Sequence, residues 1–127
     1  MRKTVLVVDD ELPVRSLIRR ALEMGTYAVL EARDGEEGLE IARERHPDLV
    51  LLDIRMPKLD GHEVCRRLKA DPSTAHVEVV MVSGNSDPES VQRSLDAGAF
   101  AFLSKPFRIT ELLDTVEKAL GNGREVE

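Results

Sequence analysis

Five short apolar segments recur along this chain, and a segment with helical periodicity follows each of them. The apolar segments are Val5–Val8, Tyr27–Leu30, Leu49–Leu52, Val77–Val82 and Ala99–Leu103. Most are apolar throughout, with Glu78 as the exception, which is typical of parallel strands covered on both faces. Such strands are joined by right-handed helical crossovers, so the sequence predicts the α/β class, a doubly wound three-layer sandwich.

The segments between the strands predict helices. Apolar spacing of three and four residues marks the first and last of them, with Val14, Leu17, Ile18, Ala21 and Leu22 in one and Ile109, Leu112, Leu113, Val116 and Leu120 in the other. Pro13 favours the first turn of the former, and Gly121 favours the end of the latter. A second helix over residues 35–45 is indicated by Leu39, Ile41 and Ala42.

The third helix is predicted from its N-terminal cap. Asp60 followed by Glu63 forms a capping-box pattern, in which each residue satisfies a backbone N–H of the other. Val64 and Leu68 then lie one turn apart and predict the buried face.

The fourth helix, residues 88–97, begins after the cap residue Asp87 and contains two large apolar anchors, Val91 and Leu95. A buried aliphatic side chain contributes about 1.5–3 kcal/mol, so two of them hold a helix weakly. Elements that move in switching are drawn from such weakly held regions. We therefore expect the fourth helix to be more mobile than the fifth.

Length and composition limit the organisation and the partners. The 127 residues, 42% hydrophobic and 33% charged, predict one soluble domain over residues 1–121 with a polar tail over 122–127. No apolar run is long enough for a membrane span or a signal peptide, and Cys65 is the single cysteine, so the predicted location is the cytoplasm. The formal net charge of −6 disfavours binding to nucleic acid or anionic membranes and favours a protein partner.

Polar residues follow the predicted strands where a doubly wound sheet binds ligands, outside the carboxyl ends of its strands. They are Asp9, Asp10 and Glu11 after the first strand, Asp53 after the third, Ser83 after the fourth, and Ser104, Lys105 and Pro106 after the fifth. Three carboxylates at one edge repel one another, so a divalent cation is expected among them. Mg²⁺ favours a few carboxylates together with water and phosphate oxygens.

Each of these residues also has an ordinary interpretation. Paired acids in a chain of net charge −6 are usually solvated, and a lysine is more often solvated than catalytic. Position favours a site instead, because Asp9 and Asp10 follow directly on a buried strand and Asp53 stands where an apolar run stops. Lys105 lies between a buried strand and a proline, within reach of the acids.

Five motifs stand in order at the predicted strand ends. They are Val-Val-Asp-Asp-Glu at 7–11, Leu-Leu-Asp-Ile-Arg-Met-Pro at 51–57, Asp-Gly at 60–61, Met-Val-Ser-Gly at 81–84 and Leu-Ser-Lys-Pro-Phe at 103–107. Together, from residue 5 to about residue 120, the chain resembles the receiver domains of bacterial two-component response regulators of the chemotaxis-regulator type. The resemblance implies a five-stranded parallel sheet in the order 2-1-3-4-5 flanked by five helices, the flavodoxin-like arrangement.

The resemblance also implies the chemistry of the site. Asp53 would be the phosphoacceptor and, as a nucleophile, the catalytic carboxylate. Mg²⁺, for which Mn²⁺ is an alternative, would be held by Asp53, by Asp10 directly and by Asp9 largely through water. The backbone carbonyl of Arg55 would add a ligand. Lys105 would clamp the transferred phosphoryl oxygens by its charge.

Further implied roles concern switching. Ser83 would move to donate a hydrogen bond to the phosphoryl group, Phe102 would rotate into the volume that Ser83 leaves, and Lys105 would form a salt link to the phosphoryl group. The peptide bond between Lys105 and Pro106 would be cis. The ordinary interpretations are a helix-entry serine and a core aromatic. Ser83 lacks the methyl of threonine and Phe102 lacks the hydroxyl of tyrosine, which are commoner in the family.

The implied function is a phosphoaspartate signalling switch served by a sensor histidine kinase or a histidine phosphotransfer protein. Its fourth helix, fifth strand and fifth helix would act on a downstream protein or a fused output domain, and they are a candidate homodimer surface. The chain would catalyse only its own phosphorylation and dephosphorylation. Arg55 and Asn85 occupy positions that in the family influence the hydrolysis rate, although each is equally a solvated side chain.

Three other classes are weighed against this one. A haloacid-dehalogenase-like phosphatase also forms phosphoaspartate with Mg²⁺, but it needs a second acid where Arg55 stands. A flavodoxin-like cofactor binder cradles a phosphate in its first loop, and the acids at 9–11 would repel one. A docking-only pseudo-receiver is disfavoured by the intact acceptor, acid pair and lysine.

Overall fold

Five parallel strands and five helices alternate in the computed structural model of the chain, which describes residues 2–121. The strands are β1 (Thr4–Val8), β2 (Ala28–Ala32), β3 (Leu49–Asp53), β4 (Glu78–Ser83) and β5 (Ala101–Ser104). They form one sheet in the order β2-β1-β3-β4-β5, so the predicted fold class and strand order are confirmed. The predicted tail, residues 122–127, lies outside the described residues.

The helices cover both faces of the sheet, and this explains why the central strands are apolar at every position. They are α1 (Leu12–Met24), α2 (Gly35–Arg45), α3 (Gly61–Ala70), α4 (Pro88–Asp96) and α5 (Ile109–Ala119). Successive side chains of a strand point to opposite faces. In β1, Val5 and Val7 accordingly pack with α1 and α5, whereas Leu6 and Val8 pack with α2 and α3. Over the part of the chain described, no helix is both long and apolar enough to span a membrane.

Three strands begin later than the apolar segments predict. The backbone N–H groups of Tyr27, Val77 and Ala99 donate to the carbonyl oxygens of Leu22, Thr74 and Ser94. Each of these N–H groups therefore closes the turn before the strand instead of joining the sheet ladder. Apolar character continues through such a turn because the side chain is still buried, so composition alone could not mark the boundary.

The predicted cap of α3 is half confirmed. The Asp60 carboxylate accepts the Glu63 N–H at 3.0 Å, as an N-cap should. The Glu63 carboxylate instead accepts from Arg66 and Arg67 on the next turn. The reciprocal half of the capping box was therefore wrong, because two arginines at helical spacing compete for the same carboxylate.

Two apolar residues that spacing assigned to a packed helix face were also placed wrongly. Leu17 is exposed on α1, where Arg15, Ile18 and Leu22 form the buried row. Leu95 is 43% exposed on α4, and the residue that faces inward is Ser94, with no exposed surface. In both helices a polar residue occupies the buried row, which apolar spacing cannot reveal.

Helix α4 is held to α3 by a buried polar contact. Ser94 donates its hydroxyl proton to the Ser90 carbonyl at 3.0 Å, and His62 Nε2 lies 3.1 Å from Ser94 Oγ. Since the serine proton is already used, Nε2–H is the donor in the second bond. Burial, reinforced by the charge of Arg93 and opposed by Asp60, lowers the pKa of His62. The neutral imidazole is therefore part of the native packing.

We predict that His62→Gln makes stability less dependent on pH. Because the pKa of His62 is lowered in the folded protein, the unfolded chain takes up a proton at a higher pH than the folded protein does. The contribution of His62 to the free energy of unfolding therefore falls as pH drops below about 6.5. Glutamine keeps an N–H donor and does not titrate. Urea unfolding should show a smaller loss between pH 7 and pH 5 in the variant than in the wild type. The control is His76→Gln on the surface, and equal pH slopes for wild type and His62→Gln would contradict the prediction.

Candidate functional site

The polar residues at the carboxyl ends of the strands meet at one edge of the sheet, as their positions predicted. Carboxylate oxygens of Asp9, Asp10 and Asp53 lie within 4.8 Å of one another. Lys105 Nζ is 3.0 Å from Asp9 Oδ2 and 3.7 Å from Asp53 Oδ1. Residues from three separate segments thus form one cluster of three acids and one ammonium group.

Asp9 is the most tightly held member of the cluster and is 2% exposed. Its Oδ1 accepts the Glu11 N–H at 2.8 Å, and its Oδ2 accepts from Lys105. Its own N–H donates to the Ala32 carbonyl at 3.2 Å. Asp10, the next residue, belongs to the same cluster but is exposed. The two acids therefore differ in freedom, with Asp10 the more accessible ligand.

Asp53 is 7% exposed at the end of the central strand β3. Burial, followed by the charge of Asp9, raises the pKa of Asp53 from 3.8 to about 6, although Lys105 and the Arg55 N–H oppose the shift. One ammonium group does not balance three carboxylates. The site therefore has an unmet demand for positive charge beside the Asp53 carboxylate.

Lys105 is aimed at the cluster by the backbone around it. Its N–H donates to the Ser83 carbonyl at 2.8 Å, which joins the end of β5 to the end of β4. The Lys105–Pro106 peptide bond is cis. Burial favours the neutral amine, but the hydrogen bond to Asp9 and the charges of Asp53 and Asp9 outweigh it and raise the pKa of Lys105. The side chain is therefore a fixed ammonium group.

Ser83 and Phe102 lie on the same face of the sheet. Ser83 pairs with Ser104 in the β4–β5 register, and Met81 pairs with Phe102. Paired residues of adjacent strands share a face, and so do residues two apart on a strand. Ser83 is buried, and its Oγ accepts the Asn85 N–H at 3.1 Å, while Phe102 is half-buried against the core beneath α2 and α3. The movements predicted for both side chains stay predictions.

A polar cleft of about 510 Å³ opens over the acids. Its lining residues are Asp10, Glu11, Asp53, Arg55, Ser83, Gly84, Asn85 and Lys105. The carboxylates of Asp9, Asp10 and Asp53 are hard oxygen donors, the kind that Mg²⁺ favours. The residues present therefore fit the predicted ion, and the cleft leaves space for a phosphoryl group beside Asp53.

Gly61, the second residue of the Asp-Gly motif at 60–61, has a structural role that its place in the motif does not indicate. Its N–H donates to the Ile54 carbonyl at 2.8 Å, at the first residue of α3. A Cβ at this position would overlap the carbonyl oxygen of Asp53. Glycine is therefore required for α3 to begin against the end of β3. Arg15 and His62 were also missed, since a basic residue in a helix is usually solvated.

Residues 5–117 match the family described as the response regulator receiver domain. The match covers most of the chain and includes every member of the acidic cluster. The chain therefore belongs to the response regulator receiver domain family, whose members act in two-component signalling.

Individual relatives agree with this assignment. The chain is 37% identical over 118 residues to the phosphate regulon transcriptional regulatory protein PhoB of Pseudomonas aeruginosa. The matched region covers 93% of this chain but only 52% of PhoB. The chain is 34% identical over 122 residues to the polar-differentiation response regulator DivK of Brucella ovis, at 96% of this chain and 99% of DivK. The chain thus spans about half of one relative and nearly all of the other.

A solved structure with a bound ion is also similar. It is the receiver domain of the sensor histidine kinase PA1611 from Pseudomonas aeruginosa PAO1, with a magnesium ion coordinated in the active site cleft. The TM-score is 0.88 at 26% sequence identity, over 95% of this chain and 99% of that one. The two chains therefore share their fold over nearly their whole length.

We predict that Asp53→Asn stabilises the metal-free protein at neutral pH. Because the pKa of Asp53 is raised in the folded protein, the fold favours the protonated carboxyl group. The contribution of Asp53 to the free energy of unfolding is therefore complete below its ordinary pKa of 3.8 and is lost as pH rises through about 6. At pH 7 the uncharged amide avoids a penalty of up to about 3 kcal/mol, from roughly 1.4 kcal/mol per pKa unit. Urea unfolding in EDTA at pH 4 and pH 7 measures the difference.

The stabilisation by Asp53→Asn should be larger at pH 7 than at pH 4. Asp96→Asn, which removes one negative charge from the exposed surface of α4, is the control for the change in net charge. A gain for Asp53→Asn that does not vary with pH would show that the burial of a charged Asp53 carboxylate beside Asp9 is not its cause.

Proposed function

We propose that this domain is a phosphorylation switch in which Asp53 accepts a phosphoryl group from a sensor histidine kinase or a histidine phosphotransfer protein. The observation that carries the proposal is the Asp53 carboxylate itself, buried beside two further acids and 3.7 Å from the Lys105 ammonium. In the transfer, the P–N bond of a phosphohistidine breaks as an O–P bond forms on Asp53. The product is an acyl phosphate, and the imidazole leaves with the electron pair.

The chain offers the ligands for a divalent cation next to the acceptor. Asp10 and Asp53, the backbone carbonyl of Arg55 and, largely through water, Asp9 would hold Mg²⁺, or Mn²⁺ in its place. When bound, the ion supplies positive charge that offsets the carboxylates and the phosphoryl oxygens. The magnesium ion named in the PA1611 receiver domain supports this part of the proposal.

Two side chains of the cleft then act on the phosphoryl group. Lys105, already within 4 Å of Asp53, needs only a small movement to pair with a phosphoryl oxygen. Ser83 accepts a hydrogen bond from Asn85 and so keeps its own hydroxyl proton for a phosphoryl oxygen. Because charge is what changes in this reaction, hydrogen-bond donors that reach the phosphoryl oxygens stabilise the transferred group.

A line of hydrogen bonds leads from Ser83 to α4. The Asn85 N–H donates to Ser83 Oγ at 3.1 Å, the Asp87 N–H to Asn85 Oδ1 at 3.3 Å, and the Ser90 N–H to Asp87 Oδ1 at 2.8 Å. Asp87 is the N-cap of α4. If Ser83 turns toward a phosphoryl group, the Asn85 N–H loses its acceptor and the loop that carries the cap must adjust.

The surface of α4, β5 and α5 is the proposed output. Leu95 on α4 and Phe100 just before β5 are both exposed and apolar, which suits a protein contact. We propose that this face regulates a downstream protein or a fused output domain, and that it is the surface for a homodimer. The proposed location is the cytoplasm, without direct binding to nucleic acid or membrane.

The domain would catalyse only its own phosphorylation and dephosphorylation. Both reactions need the cleft over Asp53, and its rim includes Arg55 and Asn85. These two side chains border the path by which water would reach an acyl phosphate. They are therefore proposed to set its lifetime.

We predict Mg²⁺-dependent labelling of the wild type by acetyl phosphate and none in Asp53→Ala. Removal of the carboxylate removes the only oxygen that the proposal makes nucleophilic. Intact-mass spectrometry should detect one added phosphoryl group, which EDTA abolishes. Asp114→Ala, which changes an exposed acid on α5, should be labelled like the wild type. Labelling of Asp53→Ala at the wild-type rate would refute the proposal.

We predict that Lys105→Ala separates phosphorylation from the conformational response. Asp53 remains in place, so some labelling should persist, but the salt link between Lys105 and the phosphoryl group is lost. NMR shifts of the α4 amides on phosphorylation should be much smaller than in the wild type. Lys118→Ala on α5 is the control. Wild-type α4 shifts in phosphorylated Lys105→Ala would count against the proposed role.

A further inference from the structure

Arg15 occupies the buried row of α1 and is 8% exposed. Its Nη1 donates to the backbone carbonyl of Asp9 at 2.7 Å, and its Nε donates to Glu31 Oε1 at 3.1 Å. Burial of a charge is costly unless the charge is paired and hydrogen-bonded. Here the guanidinium group is hydrogen-bonded to the Glu31 carboxylate and to the Asp9 carbonyl. Arg15 therefore links α1 to β2 and to the acidic loop, residues 9–11.

The Asp9 carbonyl, which Arg15 binds, lies directly between the end of β1 and Asp10. β1 ends at Val8, and Asp9 is the residue at which the chain leaves the sheet. The Asp9 carbonyl belongs to the peptide unit that leads to Asp10, and this unit is planar. The direction of the carbonyl therefore sets the direction in which the Asp10 Cα leaves. Asp9 is buried, so water is poorly placed to replace the arginine donor.

Glu31 holds the guanidinium group in turn. It lies in β2 beside Val7 of β1 and also accepts from Arg19 Nη1 at 2.6 Å. The hydrogen bond from Arg19, opposed by burial and supported by the bond from Arg15, lowers the pKa of Glu31. Glu31 is thus an ionised partner for two arginines of α1, and of these two it is Arg15 that contacts Asp9.

We propose that Arg15 is a positioning residue for the cation site, acting through the Asp9–Asp10 peptide, with Glu31 as its support. The acid pair is thereby oriented before an ion arrives. The inference rests on the proposed function, since the ion is the Mg²⁺ of that proposal. Loss of a partner that orients metal ligands typically lowers metal affinity by about 10- to 100-fold.

Arg15→Met tests the inference against Arg19→Met. Methionine keeps much of the length of the side chain and removes every donor, and Arg19 shares the Glu31 contact without reaching Asp9. Mg²⁺ titrations followed by amide NMR shifts should give a Kd about tenfold higher for Arg15→Met. The Kd of Arg19→Met should stay within about twofold of the wild type, because the acid pair keeps its orientation.

Two further readouts distinguish positioning from general stability. In the metal-free protein, the Asp10 amide shift should change in Arg15→Met and not in Arg19→Met. Labelling by acetyl phosphate should need more Mg²⁺ for its half-maximal rate in Arg15→Met, while the rate at saturating Mg²⁺ returns to the wild-type value. Lysine at position 15 has a single ammonium group, which can reach Glu31 or the Asp9 carbonyl but not both. Arg15→Lys should therefore raise the Kd for Mg²⁺ severalfold, and it replaces Arg15→Met in these measurements if that variant does not fold.

The outcomes separate this inference from the proposed function. A wild-type protein that binds no Mg²⁺ would overturn both. Wild-type binding with an unchanged Kd in the Arg15 variants, or an equal rise in Arg19→Met, would overturn the inference and leave the proposed function standing.

Discussion

The contact of Lys105 with Asp9 and Asp53 is the interaction on which the rest of the site depends. Two buried carboxylates at one sheet edge would repel each other and favour unfolding, and the ammonium group lets them stay close. The contact also ties the ends of β1, β3 and β5 together, although these strands are far apart in the chain. One lysine balances only part of the charge of the three carboxylates, which present oxygen ligands for a cation.

Polar contacts inside the helical layers are the second theme of the structure. Helix α4 meets α3 through His62 and Ser94, while the predicted anchor Leu95 is exposed, and α1 meets the loop at residues 9–11 through Arg15. Hydrogen bonds have stricter geometry than apolar contacts, so each pair specifies one position of its helix. A contact of this kind can be strong in one arrangement and lost in another.

The strand core and the convergence of the site residues could be predicted because both follow from periodicity. Strands buried on two faces are apolar at every position, and parallel strands bring their carboxyl ends to one edge, so Asp9, Asp53 and Lys105 had to meet. Predictions failed where an apolar residue had two possible roles. Tyr27, Val77 and Ala99 close turns, and Leu17 and Leu95 lie on exposed helix faces. Apolar spacing marks a helix face only to within about one position.

By itself, the sequence determined the class of fold, the order of the chemical motifs and the edge where they assemble, because these depend on local patterns of polarity. Only the tertiary structure decided how each helix is rotated on the sheet, and hence that Arg15, His62 and Ser94 are buried and paired. Their hydrogen-bond partners lie mostly on other segments of the chain, and a polar side chain is rarely buried without such a partner. The pattern along one helix contains no information about that partner.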